Sequence, residues 1–279
     1  MDNIDARIPY RDPPRVALRQ AYPWPFAEIL GVPVAALTLD ELLQIMDRWI
    51  AERERHYVCA VSVHPLVESQ SAPDLRQIYK AASVVIPDGM PLVWLLRRAG
   101  HAAADRICGP DLMPAMFERS QRTGARHFLY GSTTNTLALL TAKLHRQYPS
   151  ARIVGSYSPP FRDLLPGEGG EIADRINAAN ADIVWVGLGA PKQDRWMAAY
   201  RPELDAPVLI SVGAAFDMLA GNLRRPPRFI QRSGFEWVFR LVQDPRRLLR
   251  RYAKCHSLFA LMLLQERLHL LRDRPRDGG

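Results

Sequence analysis

Short apolar runs rich in β-branched and aromatic residues alternate along this chain with longer helical patterns, and this alternation constrains the fold most. A continuous apolar run followed by a glycine, proline or aspartate turn is typical of a strand buried on both faces. Strands that alternate with helices predict a parallel sheet. We therefore expect an α/β fold, with a mostly parallel Rossmann-like sheet and helices on both faces. After a short strand within residues 31–37, the predicted strands are Tyr57–Val63, Ser83–Ile86, His127–Gly131, Arg152–Ser156, Ile183–Val186 and Val208–Val212.

The helix signals agree with this alternation. Thr38 followed three residues later by Glu41 is a capping box, which predicts a helix from there to about Arg53. The segment Met90–Arg98 predicts a strongly apolar helix, and Pro110 lies near the start of another.

The excess positive charge of the chain lies in its C-terminal part. Residues 222–279 contain 14 Lys/Arg and 5 Asp/Glu, whereas the rest of the chain contains 23 and 24. The net charge of +8 therefore arises in the C-terminal fifth. We expect a flexible N-terminal arm (1–25), an α/β catalytic domain (26–221) and a basic amphipathic C-terminal segment (222–279) that associates with membranes and completes the active site.

The C-terminal segment interleaves arginines with aromatic and aliphatic residues, as in Gly234–Arg240 and Asp244–Tyr252. This pattern favours helices that lie in an anionic membrane interface. A nucleic-acid surface ranks lower because no nucleic-acid motif accompanies the arginines, and a basic helix packed on the domain stays an alternative. No apolar run is long enough to span a bilayer, and three dispersed cysteines favour a reducing cytosol.

Four strand ends carry polar or glycine-rich residues: Ser62–Pro65, Pro87–Gly89, Gly187–Gln193 and Gly213–Asp217. The carboxyl ends of parallel strands lie at one edge of the sheet and form its ligand crevice. Asp88 is the preferred catalytic base, because a carboxylate held between proline and glycine at the end of an apolar strand is partly desolvated. The alternative is a turn aspartate that caps the next helix.

The turn Gly187–Pro191 leads into a helix that begins with Lys192 and Gln193. A glycine turn followed by a helix N-terminus is suited to binding an anion, so both side chains are candidates for substrate binding. A solvated charged loop is the alternative.

Three further candidates are weaker on their own. Ser62 and His64 lie at a strand end, where a histidine is more often structural than a ligand. Arg106 precedes Gly109-Pro110-Asp111 and can pair with a phosphate or with Asp111. Asp217 is interpreted as a structural carboxylate inside a helix.

Several common sites are missing from the sequence. There is no Asp-x-Asp at a strand end and no cluster with metal-ligand spacing, so neither a metal nor a cofactor is expected. The fingerprints of dinucleotide-binding enzymes, P-loop NTPases and α/β-hydrolases are also absent.

Taken together, the motifs resemble the WecG/TagA/CpsF family of glycosyltransferases (glycosyltransferase family 26), over a stretch from about Gly31 to Tyr252. Seven blocks occur in the family's order. They are Pro87–Trp94, Gly109–Met113, Phe128–Gly131, Val154–Phe161, Val186–Trp196, Val212–Asp217 and Glu236-Trp237.

The resemblance implies an inverting, metal-independent transfer from a UDP-sugar to a sugar on a polyprenyl diphosphate, by a cytoplasmic protein peripheral on the inner face of the cell membrane. It implies that Asp88 is the base and that Arg106 and Gln193 bind substrate or nucleotide. It also implies that three C-terminal arginines neutralise the diphosphate, and that the chain can form a homo-oligomer. These arginines are Arg240, Arg247 and Arg250.

One departure concerns the donor sugar. The family's Thr-x-Asn strand end reads Ala60-Val61-Ser62 here, followed by His64. We therefore leave the donor open between a hexose and an N-acetylhexosamine. Two rival functions remain at this point: another nucleotide-dependent α/β enzyme, and a non-catalytic basic protein that binds membranes or nucleic acid.

Overall fold

The computed structural model describes residues 23–243, 245, 249 and 255–265. The strands are β1 Phe26–Ile29, β2 Val32–Ala35, β3 His56–Val61, β4 Val84–Pro87, β5 Arg126–Gly131, β6 Arg152–Tyr157, β7 Ile183–Gly187 and β8 Val208–Ser211. The helices are α1 Leu39–Ala51, α2 Val63–Glu68, α3 Pro73–Ala81, α4 Met90–Arg98, α5 Gly109–Thr123, α6 Thr134–Gln147, α7 Glu168–Ala178, α8 Lys192–Tyr200, α9 Ala215–Ala220, α10 Arg228–Arg232 and α11 Glu236–Gln243.

The central sheet has six parallel strands in the order β4-β3-β8-β7-β5-β6, which confirms the predicted α/β fold. Every residue of β4, β7 and β8 is buried, as expected for strands covered on both faces. One apolar layer contains side chains of α1, α5, α6 and α9, and the other contains side chains of α2, α3, α7 and α8.

The sheet has a topological switch point between β5 and β7. The chain leaves β5 into α6 on one face and leaves β7 into α8 on the other, and the two following strands lie on opposite sides of this pair. In open α/β sheets, ligands bind outside the carboxyl ends of the strands at such a point. A Cβ on Gly131 would lie 2.5 Å from the carbonyl oxygen of Gly187, so only glycine lets the two strand ends approach this closely.

The N-terminal part of the domain differs from the prediction. Residues 31–37 were expected to supply one short strand before α1. Instead β1 and β2 form a separate antiparallel hairpin, in which Ile29 pairs with Val32. Leu30 and Gly31 make the two-residue turn with φ of 51° and 72°, as a type I′ turn requires. The sequence Leu-Gly lacks the Asn-Gly or Asp-Gly signal of such turns, which explains why the hairpin was missed.

The predicted capping box at the start of α1 is present. The Thr38 Oγ1 atom accepts a hydrogen bond from the Glu41 N–H at 3.3 Å, and the Glu41 carboxylate accepts one from the Thr38 N–H at 2.8 Å. These bonds satisfy two N–H groups that a helix start leaves unpaired.

The described part of the C-terminal segment contacts the α/β domain. Residues 255–265 are helical, and Phe259 is buried in the apolar layer that contains α2, α3 and α8. Among the described residues, no helix is both long and apolar enough to cross a bilayer. The domain boundary at residue 221 stays a prediction.

Candidate active site

Asp88 lies at the carboxyl end of the edge strand β4, where it is partly exposed to the crevice. Its N–H donates to the carbonyl of Val61 at 2.9 Å, which fixes the end of β4 against β3. The N-cap of α4 is Gly89, so the alternative of Asp88 as the cap of this helix does not hold.

The pKa of Asp88 is raised from 3.8 to about 6. Burial of the carboxyl is the largest cause. The positive charges of Arg240 and Arg106 oppose the rise, whereas the negative charges of Glu236 and Asp111 add to it. At neutral pH the group is mostly ionised yet more basic than an ordinary carboxylate, as a general base requires.

Arg106 is the most deeply buried cation of the site, with only 9% of its side chain exposed. Its Nη1 donates to Glu236 Oε2 at 2.8 Å, and its Nη2 donates to Gln231 Oε1 at 2.9 Å and to Asp111 Oδ2 at 3.3 Å. The guanidinium is therefore held from both α5 and the C-terminal segment. Its predicted role in substrate binding stays a prediction, and in this structure it anchors the C-terminal helices beside Asp88.

A chain of alternating charges extends from Arg106 in both directions. Asp111 also accepts from Arg225 at 2.6 Å, and Glu236 also pairs with Arg240 at 2.9 Å. We call Arg225–Asp111–Arg106–Glu236–Arg240 the ion chain. Burial alone would raise the pKa of Asp111, but the hydrogen bonds and charges of its partners hold it below its ordinary value.

Gln193 is buried and lies between two glycine turns. Its Oε1 accepts hydrogen bonds from the N–H of Gly189 at 3.1 Å and from the N–H of Gly213 at 3.0 Å. One oxygen thus holds the β7–α8 and β8–α9 turns together. Lys192, the first residue of α8, is partly exposed at the same sheet edge. Substrate binding by these two residues is not tested by these contacts.

Ser62 and His64 are only partly as expected. The strand was expected to continue to Val63, but β3 ends at Val61, so His64 lies in the first turn of α2. Its Nε2 lies 3.5 Å from a carboxylate oxygen of Glu68. Ser62 is the N-cap residue of α2, is partly exposed, and makes no side-chain capping bond.

Asp217 and Arg240 bear on two other predictions. Asp217 accepts a hydrogen bond from Thr136 Oγ1 at 3.1 Å, and this bond between α9 and α6 agrees with its interpretation as a structural carboxylate.

Arg240 lies in α11, close enough to Asp88 to lower the pKa of that carboxyl. Arg247 and Arg250 lie outside the described residues.

The pairing of Arg106 with Asp111, one of the two alternatives for this arginine, is present. Sequence reasoning missed the other three residues around it. They come from a distant segment and meet Arg106 and Asp111 only in the folded chain, so no spacing could reveal the set. Glu236 does belong to a family block, which was an available signal. The three residues are Arg225, Gln231 and Glu236.

Sequence reasoning also missed a second buried carboxyl, that of Asp194, which lies in the first turn of α8. The Tyr79 hydroxyl donates to its Oδ2 at 3.1 Å, and Ser211 and Cys59 lie against it. Burial, opposed by these hydroxyl and thiol neighbours, raises its pKa to about 7. Within the described residues, its Oδ1 has no hydrogen-bond partner.

Comparison with known proteins gives two findings. Residues 27–273 match the Glycosyl transferase WecG/TagA/CpsF family. The chain is also 30% identical over 180 residues to the N-acetylglucosaminyldiphosphoundecaprenol N-acetyl-beta-D-mannosaminyltransferase of Bacillus spizizenii, an alignment that covers 64% of this chain and 68% of that protein. The chain that carries this crevice therefore belongs to the WecG/TagA/CpsF family and is a glycosyltransferase.

Proposed function

We propose that this protein transfers a hexose or N-acetylhexosamine from a UDP-sugar to a sugar on a polyprenyl diphosphate, with inversion and without a metal, in the synthesis of a cell-surface glycan. The observation that carries the proposal is Asp88: a carboxylate with a pKa of about 6, open to the crevice and faced by Arg106 and Arg240. The reaction needs a base and positive charge at one site, and both occur here.

Asp88 acts as the general base in this proposal. Its carboxylate takes the proton of the acceptor hydroxyl while that oxygen bonds to the anomeric carbon of the donor. The bond from this carbon to the UDP oxygen breaks, and UDP leaves with the electron pair on the face opposite the attack. This single displacement inverts the anomeric centre.

The nucleotide is proposed to lie across the switch point. Gly131 and Gly187 end β5 and β7 and pack closely on each other, and the following turn carries Gly189, which has open space beside its Cα. The N-terminus of α8, with Lys192, attracts a diphosphate because its dipole and side chain are positive there.

Arginines are proposed to neutralise the leaving diphosphate. Arg240 is held at the crevice by Glu236, and Arg106 lies behind it. Positive groups fixed where negative charge develops stabilise the transition state electrostatically. Arg247 and Arg250 extend this proposal from sequence alone.

The acceptor proposal comes from the relative, whose name states that it adds N-acetylmannosamine to N-acetylglucosaminyl-diphosphoundecaprenol. We propose the same acceptor class here. The donor stays open, because Ala60-Val61-Ser62 replaces the family's Thr-x-Asn at the crevice.

The protein is proposed to act as a cytoplasmic enzyme on the inner face of the membrane. Trp94 of α4, Phe229 of α10 and Phe235 are 48%, 73% and 61% exposed, and Gly234 packs against the Trp94 ring. Exposed aromatic residues among arginines suit an anionic bilayer interface. The proposal involves no nucleic acid.

The test is a transfer assay that contains EDTA. Full-length protein is mixed with a short-chain polyprenyl-diphosphate N-acetylglucosamine in detergent and a panel of UDP-sugars, and the lipid product is followed by mass. Extension by one donor that Asp88→Asn abolishes supports the proposal. Transfer that requires an added divalent metal contradicts metal independence, and failure of UDP to bind contradicts the nucleotide site.

A further inference from the structure

We propose that Glu236 is a positioning residue, which holds the Arg240 guanidinium beside Asp88 during transfer. The inference deepens the proposed function and rests on it. It starts from one feature: a single carboxylate pairs with two guanidinium groups, one from the α/β domain and one from the C-terminal segment.

The geometry gives each carboxylate oxygen its own partner. Oε2 of Glu236 accepts from Arg106 Nη1 at 2.8 Å, whereas Oε1 accepts from Arg240 Nη2 at 2.9 Å and from Arg240 Nε at 3.3 Å. Glu236 and Arg240 are four residues apart on α11 and therefore lie on one face of that helix. The pair directs Arg240 back toward the start of α11, where Arg106 lies.

The exposed fraction of the side chain increases from Arg106 to Glu236 to Arg240, so the arrangement extends from a buried arginine through the carboxylate to an arginine at the crevice. Arg106 is 9% exposed, Glu236 is 21% exposed and Arg240 is 31% exposed. Asp111 and Gln231 fix Arg106 from two further directions. An arginine side chain has many rotamers in solvent, and the two hydrogen bonds to Glu236 restrict those of Arg240.

The charges around Asp88 give a prediction that distinguishes two roles for Glu236. The charged and titratable groups that act on Asp88 come from two places: Arg106 and Cys108 just before α5 with Asp111 in its first turn, and Glu236 and Arg240 from α11. Arg240 lowers the pKa of Asp88 by more than Glu236 raises it. If Glu236 acted only through its own charge, its removal would lower this pKa. If it positions Arg240, its removal also displaces the stronger charge, and the pKa rises.

The experiment measures the direction in which Glu236→Gln shifts the pKa of Asp88, first with Arg240 present and then with Arg240→Met. Full-length wild type, Glu236→Gln, Arg240→Met and the double variant are labelled with ¹³C at the aspartate carboxyls and titrated by NMR. The Asp88 resonance is assigned from its loss in Asp88→Asn. We expect Glu236→Gln to raise the pKa of Asp88 when Arg240 is present, and to lower this pKa in the protein that also carries Arg240→Met.

Kinetics provide the second readout. Glu236→Gln is expected to lower kcat about tenfold while the KM for the donor changes less, because a misplaced cation stabilises the leaving group poorly. Glu118→Gln, an exposed carboxylate change on the outer part of α5, is the matched control and should leave kcat unchanged.

A lowered or unchanged Asp88 pKa in Glu236→Gln with Arg240 present would overturn the positioning role. So would an equal shift in both backgrounds. The NMR readout needs no substrate, so a wild-type protein that transfers no sugar overturns the proposed function while the bridge is still tested independently.

Discussion

Asp88 and Asp194 lie near the same edge of the sheet, and burial is the main cause of the raised pKa of each, about 6 and about 7. Their surroundings differ. Asp88 opens to the crevice and faces two arginines. Asp194 is fully buried in the first turn of α8, against the Tyr79 hydroxyl, and the charge of Arg195 has a smaller influence on it. A raised pKa thus marks burial, and access to substrate is what distinguishes the proposed base from a buried structural carboxyl.

The surroundings of Asp88 and Asp194 also connect different parts of the molecule. The Asp88 region joins the α/β domain to the C-terminal helices through the ion chain. The Asp194 region lies inside the domain, where Ser211 next to it accepts a hydrogen bond from the Ala60 N–H at 2.8 Å. We therefore expect changes at the first site to affect transfer and changes at the second to affect stability.

The largest expected effect is that of Asp88→Asn. Loss of the proposed base should lower kcat by about 10²- to 10⁴-fold. Stability at pH 8 should not fall, because the variant removes a partly buried charge. Single-turnover transfer and thermal unfolding check this, with Asp194→Asn as the paired control. Equal losses of kcat in the two variants would erase the functional distinction between the two carboxyls.

A smaller effect is expected at Gln193, which adjoins Asp194 in sequence but holds the two crevice turns. Gln193→Ala leaves the N–H groups of Gly189 and Gly213 without their acceptor, and the loosened turns should lower kcat/KM about 10- to 100-fold. Gln193→Glu keeps an acceptor oxygen and should retain more activity. If both variants lose activity equally, Gln193 acts through its amide NH₂ on substrate rather than on the turns.

The smallest effect on transfer is expected for Asp194→Asn, less than about tenfold, because the group lies outside the crevice. Its effect on stability has a defined sign. The folded pKa of about 7 exceeds the ordinary value of 3.8, so the folded state binds the proton more tightly than the unfolded state. The stability from this proton is complete below pH 3.8 and is lost as pH rises through 7.

The size of that loss follows from the shift. A difference of about three pKa units corresponds to at most about 4 kcal/mol. Wild type and Asp194→Asn are unfolded in urea between pH 4 and 8, and the stability of wild type relative to the variant should show this decline. The comparison is needed because burial lowers the pKa of His127 to about 3, which makes the stability of both proteins rise with pH up to about 6.5. A stability difference that does not fall as pH rises would contradict the buried, neutral state of Asp194.

Local patterns predicted most of the fold. The boundaries of α4, the capping box of α1 and the parallel strands needed only neighbouring residues, because caps and apolar periods act over a few positions. The β1–β2 hairpin and the short α2 were missed: the turn Leu30-Gly31 lacks a typical composition, and α2 is only six residues long.

The sequence by itself determined the fold class and, through its ordered motifs, the family, and it predicted the sheet edge of the candidate site and Asp88 as its base. Only the tertiary structure decided that Arg106 pairs with Glu236 across 130 positions, that Gln193 binds two turns and that Asp194 is sealed from the crevice. The reason is physical. Strands and caps depend on local backbone geometry, whereas ion pairs and burial depend on which distant segments the fold brings together.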